Sequence, residues 1–177
     1  MQRSFVIGYG NVDRGDDGAA FHVVNRVRAR LGQRVLTEDE SGLNSLGAAT
    51  AVFVPQLTPE LAYDAAACHC LVLVDAHVGS DSRPLAARRL QPLYQQPVVS
   101  HMLPPATFLW LMQCISGLEC IAFLVSLRGH CFELQRRLSP ATSALVAPAA
   151  DRVLELIRSG LAGADVTAQW SALSTAR

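Results

Sequence analysis

The chain has 177 residues, which is enough for one domain with a buried core. Half of the residues are apolar and 17% are charged, which argues against intrinsic disorder. Fifteen basic residues balance fifteen acidic residues, and no long basic run favours nucleic acid or an anionic membrane. No apolar stretch reaches the roughly 20 residues of a membrane helix, and the first apolar run meets glycine too soon for a signal peptide. We therefore expect a cytoplasmic protein without nucleic-acid or membrane partners.

The first part of the chain predicts a strand, a glycine-rich turn and a helix. Residues 5–8 are a short apolar run typical of a buried strand, and the turn Gly-Tyr-Gly-Asn ends it. Apolar residues then recur at helical spacing over residues 17–31. Asp16 is the predicted N-cap of this helix, and Asp17 is a first-turn acid at its positive end. Residues 38–49 lack periodicity and predict a surface loop.

Strands and helices alternate along the remaining sequence. Further helices are expected to open at Thr58-Pro59, after Pro104-Pro105 and at Ser139-Pro140, where proline stands in the first helical turn. The alternation predicts an α/β fold: a single three-layer domain with a twisted, mostly parallel central sheet and helices on both faces. We expect this domain to span residues 1–162, with residues 163–177 as a flexible C-terminal tail. The further predicted strands are residues 51–54, 71–74, 87–90 and 120–127.

Five cysteines form an odd set without the spacing of a disulfide framework, so free thiols in or near the core are expected. The run Cys68-His69-Cys70 is tempting as a zinc site. It precedes an apolar strand, however, and no second pair of ligands completes it. The structural interpretation is therefore favoured.

The glycine-rich loop after the first strand fits neither of two common binding motifs. A dinucleotide-binding fingerprint needs a third glycine where Asp13 stands. A calcium loop starting at Asp13 has Gly18 in the correct place but Val24 where a glutamate is needed. What remains is a tight turn that delivers two adjacent carboxylates to the start of a helix. Capping is the simpler interpretation of Asp16, whereas Asp17 is not needed as a cap and is a candidate functional residue.

Two further candidates lie at or near predicted element ends. Asp75 ends a continuous apolar strand, where an unpaired buried charge is costly, so it requires a metal, a cation or backbone donors. His101 precedes a predicted helix. Ligands bind outside the carboxyl ends of the strands in open α/β sheets, and Asp17, Asp75 and His101 together offer a ligand set for a borderline divalent ion. His77 is a competing ligand or a supporting group, and His22 is interpreted as structural, as is His130.

Four stretches together resemble the hydrogenase maturation endopeptidases, which trim the large subunits of nickel-iron hydrogenases. The likeness covers roughly residues 4–158, and the loop that carries Asp16 and Asp17 is the strongest of the four stretches. Each motif is modest, but their ordered combination is specific. They are GYGNVDRGDDG, LVLVDAHVG, SHMLPPATFLWLM and FELQRRLSP.

The resemblance implies a function and a set of site residues. Asp17, Asp75 and His101 match the metal-binding positions of the family, and Asp16 is an additional catalytic candidate that either orients a water molecule or is structural. The metal would be nickel carried by the substrate and bound weakly by the free enzyme, with zinc or cadmium as substitutes. The partner would be the precursor of a nickel-iron hydrogenase large subunit, and the enzyme is expected to be a monomer.

The sequence also departs from the family pattern. Many members carry an Asp-Gly-Gly-Thr-like segment before the second helix, where this chain has Pro55-Gln56-Leu57-Thr58 and resembles a separate branch. Gln56 and Thr58 are candidates to replace that segment in substrate binding. Three alternatives stay open: a chaperone that senses nickel without cleaving, another small metallohydrolase with its own ion, and, least favoured, a nucleotide-binding protein.

Overall fold

The protein is described by a computed structural model over residues 3–44, 47–78, 83–95 and 103–161. Strands and helices alternate through these ranges, as the sequence predicts. The predicted C-terminal tail, residues 163–177, lies outside the described residues. The strands are β1 Ser4–Tyr9, β2 Ala49–Val54, β3 Cys70–His77, β4 Leu85–Leu90 and β5 Ile121–Arg128, and the α-helices are α1 Ala19–Arg30, α2 Pro59–Ala65, α3 Pro105–Ser116 and α4 Pro140–Leu161.

The five strands form one sheet in the order β2-β1-β3-β5-β4. Neighbouring strands are parallel from β2 to β5, and β4 alone among the described strands runs antiparallel, against β5. The prediction of a mostly parallel sheet is therefore confirmed. The strands β1, β2, β3 and β5 all end at the same edge of the sheet, which we call the carboxyl edge.

Helices cover both faces of the sheet, because alternate residues of each buried strand are apolar on both sides. Val6 and Val72 pack with α1 and α4 in one cluster. Ile7 and Leu73 pack with α2 and α3 in the other cluster. We call this second side the α2/α3 face. No helix within the described ranges is long and apolar enough to span a membrane.

The helix starts agree only in part with the sequence predictions. Thr58 is the N-cap of α2, as expected, and its Oγ1 accepts a hydrogen bond from the N–H of Leu61 at 3.4 Å. The prediction of Asp16 as the N-cap of the first helix is wrong. A 3-10 turn, Gly15–Gly18, precedes α1, and Gly18 occupies the cap without a side-chain bond. Asp16 lies inside this turn, and its side chain accepts hydrogen bonds from His130 and Ser139 instead of capping α1.

Candidate active site

Asp75 and Tyr9 meet at the carboxyl edge of the two central strands. Gly8 pairs with Val74 in the parallel ladder, so Tyr9 and Asp75 follow as neighbours and their side chains share the α2/α3 face. The Tyr9 hydroxyl donates a hydrogen bond of 2.9 Å to Oδ2 of Asp75. Burial and the adjacent carboxylate raise the pKa of Tyr9 well above its usual value, so the hydroxyl remains a neutral donor.

Asp17 reaches the same region from the loop that follows β1. Its Oδ2 accepts a hydrogen bond of 2.8 Å from the backbone N–H of Asn11. This close approach requires glycine at position 10, because a Cβ atom there would lie 2.1 Å from the carbonyl oxygen of Asp17. Gly10 also adopts φ of 141°, a conformation that other residues rarely take. The glycine-rich turn therefore folds the chain back so that Asp17 lies beside the end of β1.

The surroundings of Asp75 disfavour its ionisation. Burial raises the pKa of Asp75 to about 7, although hydrogen bonds from the Tyr9 hydroxyl and the Ala76 backbone act to lower it. The negative charge of Asp17 raises the pKa of Asp75 further. A carboxyl group whose ionisation is disfavoured in this way gains free energy from a proton or a cation. Asp17 and Asp75 both lie at the carboxyl edge, and their joint role in one site stays a prediction.

His101, the third predicted ligand, lies outside the described residues. The chain resumes at Leu103, which packs on the α2/α3 face, and α3 begins at Pro105. The helix is followed closely by β5, whose first residue lies at the opposite edge of the sheet. Because α3 is about 18 Å long and crosses the sheet towards that edge, its first turn lies on the side of the carboxyl edge.

The described residues contain no group of three His, Cys, Asp or Glu side chains arranged to hold a metal ion. His77 therefore does not complete a site with the two acids. Its Nδ1 is instead hydrogen-bonded to the Ser126 hydroxyl on the neighbouring strand. Its Nε2 is buried and has no partner among the described residues. This arrangement favours a supporting role for His77 over direct ligation.

Asp16 has a different environment from its neighbour, although it was also a catalytic candidate. The side chain is fully buried, and its oxygens accept five hydrogen bonds. The donors are the backbone N–H groups of His130, Cys131 and Ser139 and the hydroxyls of Ser139 and Thr142, at 2.7–3.0 Å. Burial alone would raise the pKa of Asp16, but these hydrogen bonds lower it to about 2. Of the two roles considered for Asp16, the contacts favour the structural one.

An open groove of about 350 Å³ lies at the carboxyl end of β2. It begins at Val54, the last residue of β2, which pairs with Tyr9 of β1. Gln56 and Thr58, the two predicted substitutes for the missing family segment, both line it. The other lining residues are Leu43, Pro55, Glu60, Leu61 and Asp64.

The side chains that bind Asp75 and Asp16 were not predicted from the sequence. Tyr9 stands in the Gly-Tyr-Gly turn, and a single tyrosine between glycines carries no sign of a contact 66 residues away. Ser139 and Thr142 were recognisable only as the start of α4, because serine before proline is typical of a helix cap. Ser139 does cap that helix, with its Oγ accepting from the N–H of Thr142 at 3.3 Å, and it also binds Asp16.

Several solved structures with this fold are hydrogenase maturation proteases. The chain superimposes on the hydrogenase maturating endopeptidase HybD from E. coli with a TM-score of 0.65 and 22% identity, covering 89% of this chain and 93% of that one. The hydrogenase maturation protease HycI from Thermococcus kodakarensis KOD1 gives a TM-score of 0.59 and 21% identity, with coverages of 90% and 92%. HybD from Thermococcus kodakarensis gives 0.59 and 17%, with coverages of 88% and 99%. No protein-family model matches the chain, and no curated protein sequence matches it. The chain therefore has the fold of these endopeptidases over most of its length.

Proposed function

We propose that the chain is an endopeptidase that removes the C-terminal extension of a nickel-iron hydrogenase large-subunit precursor after nickel insertion. One observation carries the proposal: Asp75 on β3 and Asp17 on the loop after β1, far apart in sequence, both lie at the carboxyl edge of a sheet with the maturation-protease fold. Ligands bind at this edge in open α/β sheets. In this proposal the nickel carried by the precursor is the element that the enzyme recognises.

Asp17 and Asp75 together suit a divalent cation that the substrate delivers. A buried carboxyl with a pKa of about 7 beside a second carboxylate is costly to ionise, and a cation offsets that cost. We assign His101 as the third ligand, because it matches the family motif and stands two residues before Leu103. Oxygen and imidazole ligands suit nickel, and zinc or cadmium can substitute for it. With the site incomplete until the substrate arrives, the free enzyme binds the metal weakly.

The chain's own residues orient the two acids. The Tyr9 hydroxyl fixes one oxygen of Asp75, and the Asn11 N–H fixes one oxygen of Asp17. A bound divalent ion in such a site polarises a carbonyl group or lowers the pKa of a bound water molecule. The contacts of Asp16 hold the loop that carries Asp17, so Asp16 acts on the site through the position of its neighbour.

The groove at the carboxyl end of β2 is the proposed binding site of the substrate peptide. Its first residue, Val54, lies two strands from Asp75, a distance of about 10 Å. Three residues of extended chain span that distance. A peptide with its scissile bond near Asp75 would therefore place a side chain close to Gln56 and Thr58, in the segment where the family pattern is missing.

The proposal includes a cytoplasmic location and a monomeric enzyme. The rival that deserves a direct test is a nickel-sensing chaperone, which would hold the same precursor without cutting it. Both functions use the same acids, so only a measurement of the product separates them.

The decisive experiment incubates the purified chain with a nickel-loaded large-subunit precursor and follows the precursor's intact mass. We expect loss of a C-terminal peptide with the nickel-loaded precursor and no loss with the metal-free one. Asp75→Asn and His101→Ala should both abolish cleavage. Asp151→Asn is a matched control, because this exposed acid pairs with Arg30 on the opposite face of the sheet. Stable binding without any mass change would refute the peptidase and favour the chaperone.

A further inference from the structure

Two cysteine thiols are in contact at the edge of the sheet opposite the candidate active site. Cys68 lies between α2 and β3, and Cys120 lies directly before β5. Their Sγ atoms are 3.5 Å apart. The N–H of Ile121 donates to the carbonyl of His69 at 2.9 Å, which holds the two segments side by side. Side-chain rotation over a short distance would bring the sulfurs to the roughly 2.05 Å of a disulfide.

The two thiols differ in their access to solvent. Cys68 is 4% exposed, whereas Cys120 is only partly buried. The hydrogen bond to Cys120 raises the pKa of the Cys68 thiol, and burial raises it further. Cys68 therefore stays protonated and shielded, while Cys120 is the thiol that a reagent in solution meets first.

The other cysteines are arranged differently. Cys70 packs on the α1/α4 side of the sheet, with its Sγ 3.8 Å from the carbonyl of Leu156. Cys131 accepts a hydrogen bond from Gln135, and Cys114 is exposed on α3. Within the described ranges no third ligand joins Cys68 and Cys120 to make a metal site. The geometry thus singles out one pair of thiols rather than a cluster.

We propose that Cys68 and Cys120 are a redox-active pair that low-molecular-weight disulfides convert into an intramolecular disulfide. The pair is independent of the peptidase proposal, since it lies at the other edge of the sheet. Cys68 follows α2 closely, with its N–H bonded to the carbonyl of Ala65 at 3.0 Å. The new bond ties the end of α2, whose beginning lines the groove, to the first residues of β5.

The chemistry is a thiol–disulfide exchange in two steps. The thiolate of Cys120 attacks one sulfur of the small disulfide, forms a mixed disulfide and releases the first small thiolate. Cys68 then gives up its proton to the released thiolate and attacks the Cys120 sulfur, and the second small thiolate leaves. This thiolate takes up from solvent the proton that Cys120 lost when its own thiolate formed. The protein dithiol loses two electrons and two protons, and the small disulfide is reduced to two thiols.

The test uses the full chain equilibrated with mixtures of oxidised and reduced glutathione. Samples are quenched in acid, free thiols are alkylated, and proteolytic peptides are identified by mass. We expect a peptide that links Cys68 to Cys120, with the other three cysteines alkylated, and loss of the link when reduced glutathione is in large excess. A dominant link between any other pair would overturn the proposal. So would a lasting glutathione adduct on Cys120 with Cys68 still free.

Matched variants separate the pair from general thiol reactivity. Cys114→Ser should keep the link, because Cys114 is exposed but contacts neither member of the pair. Cys120→Ser should abolish it. Since Cys68 is buried and its replacement can disturb packing, Cys68→Ala serves in a second measurement, in which the glutathione adduct on Cys120 should accumulate instead of resolving. Formation of an equal amount of cross-linked monomer in Cys120→Ser would contradict the assignment.

Discussion

Asp16 is fully buried and Asp75 is partly buried, and the surroundings of these two aspartates are opposite. Asp16 accepts five hydrogen bonds, and the pKa of its carboxyl falls to about 2. Asp75 has a hydroxyl and one backbone N–H to oppose its burial, and its pKa rises to about 7. A buried carboxylate that accepts many hydrogen bonds stabilises the fold. A carboxylate that accepts few hydrogen bonds and lies near another acid is suited to bind a proton or a cation. The contrast supports a structural role for Asp16 and the proposed ligand role for Asp75.

The largest expected effect is on cleavage of the precursor, when Asp17 or Asp75, the two proposed metal ligands, loses its charge. Asp75→Asn and Asp17→Asn should each lower the cleavage rate by about 1,000-fold or more, equivalent to about 4 kcal/mol, because a cation ligand is lost. Cleavage of the nickel-loaded precursor measured by intact mass provides the rate. The control Asp151→Asn should retain wild-type activity. A rate within a few-fold of wild type for either acid variant would remove that acid from the site.

The next largest effect is on stability and concerns the structural acid. Asp16→Ala leaves five donors of the 130–142 segment without their acceptor, so we expect a loss of about 3–5 kcal/mol in the free energy of unfolding. Urea denaturation at neutral pH measures this loss. Asp17→Ala is the paired comparison. It removes one hydrogen bond from Asn11 and should cost about 1 kcal/mol. Equal losses for the two variants would erase the contrast between the neighbours.

The pH dependence of stability should differ in sign between the two acids. The pKa of Asp16 is lower in the folded state than its usual 3.8, so its contribution is present above pH 4 and is lost as the pH falls towards 2. The pKa of Asp75 is raised from 3.8 to about 7, so the folded state holds the proton more tightly and loses stability as the pH rises through this interval.

Asp75→Asn removes the loss of stability that Asp75 causes as the pH rises. We expect the variant to be more stable than wild type by about 2–4 kcal/mol at pH 8, with the gain vanishing near pH 4. Urea midpoints measured at intervals from pH 4 to pH 8 check the slope. Asp64→Asn, an exposed acid on α2, is the matched control and should follow the wild-type curve. A constant offset between Asp75→Asn and wild type across this range would contradict a raised pKa.

The sequence predicted the layers of the fold, because they follow from local patterns. Apolar strand runs and capped helices define the elements, and parallel strands carry the residues at their ends to one edge. The antiparallel direction of β4 was not predicted. Its run Leu85–Leu90 contains two arginines, and nothing in such a short polar run determines the direction of pairing.

The role of Asp16 could not be read from sequence for a different reason. Two adjacent acids before a helix look alike in a linear pattern, and capping was the simplest role for the first. Their difference arises from Ser139 and Thr142, more than 120 residues away, which α4 brings against the loop. Long-range side-chain contacts of this kind depend on packing rather than on local propensity. Tyr9 escaped prediction in the same way.

The smallest expected effect concerns the single hydrogen bond between Tyr9 and Asp75. That bond lowers the pKa of Asp75, so Tyr9→Phe should raise it further and enlarge the stability gain of Asp75→Asn at pH 8 by about 1 kcal/mol. A double-mutant cycle of Tyr9→Phe and Asp75→Asn at pH 8 measures this coupling. Tyr63→Phe, at an exposed tyrosine of α2, should show no coupling to Asp75. If Tyr9→Phe also shows none, the hydroxyl does not control the ionisation of Asp75, and burial together with Asp17 must account for it.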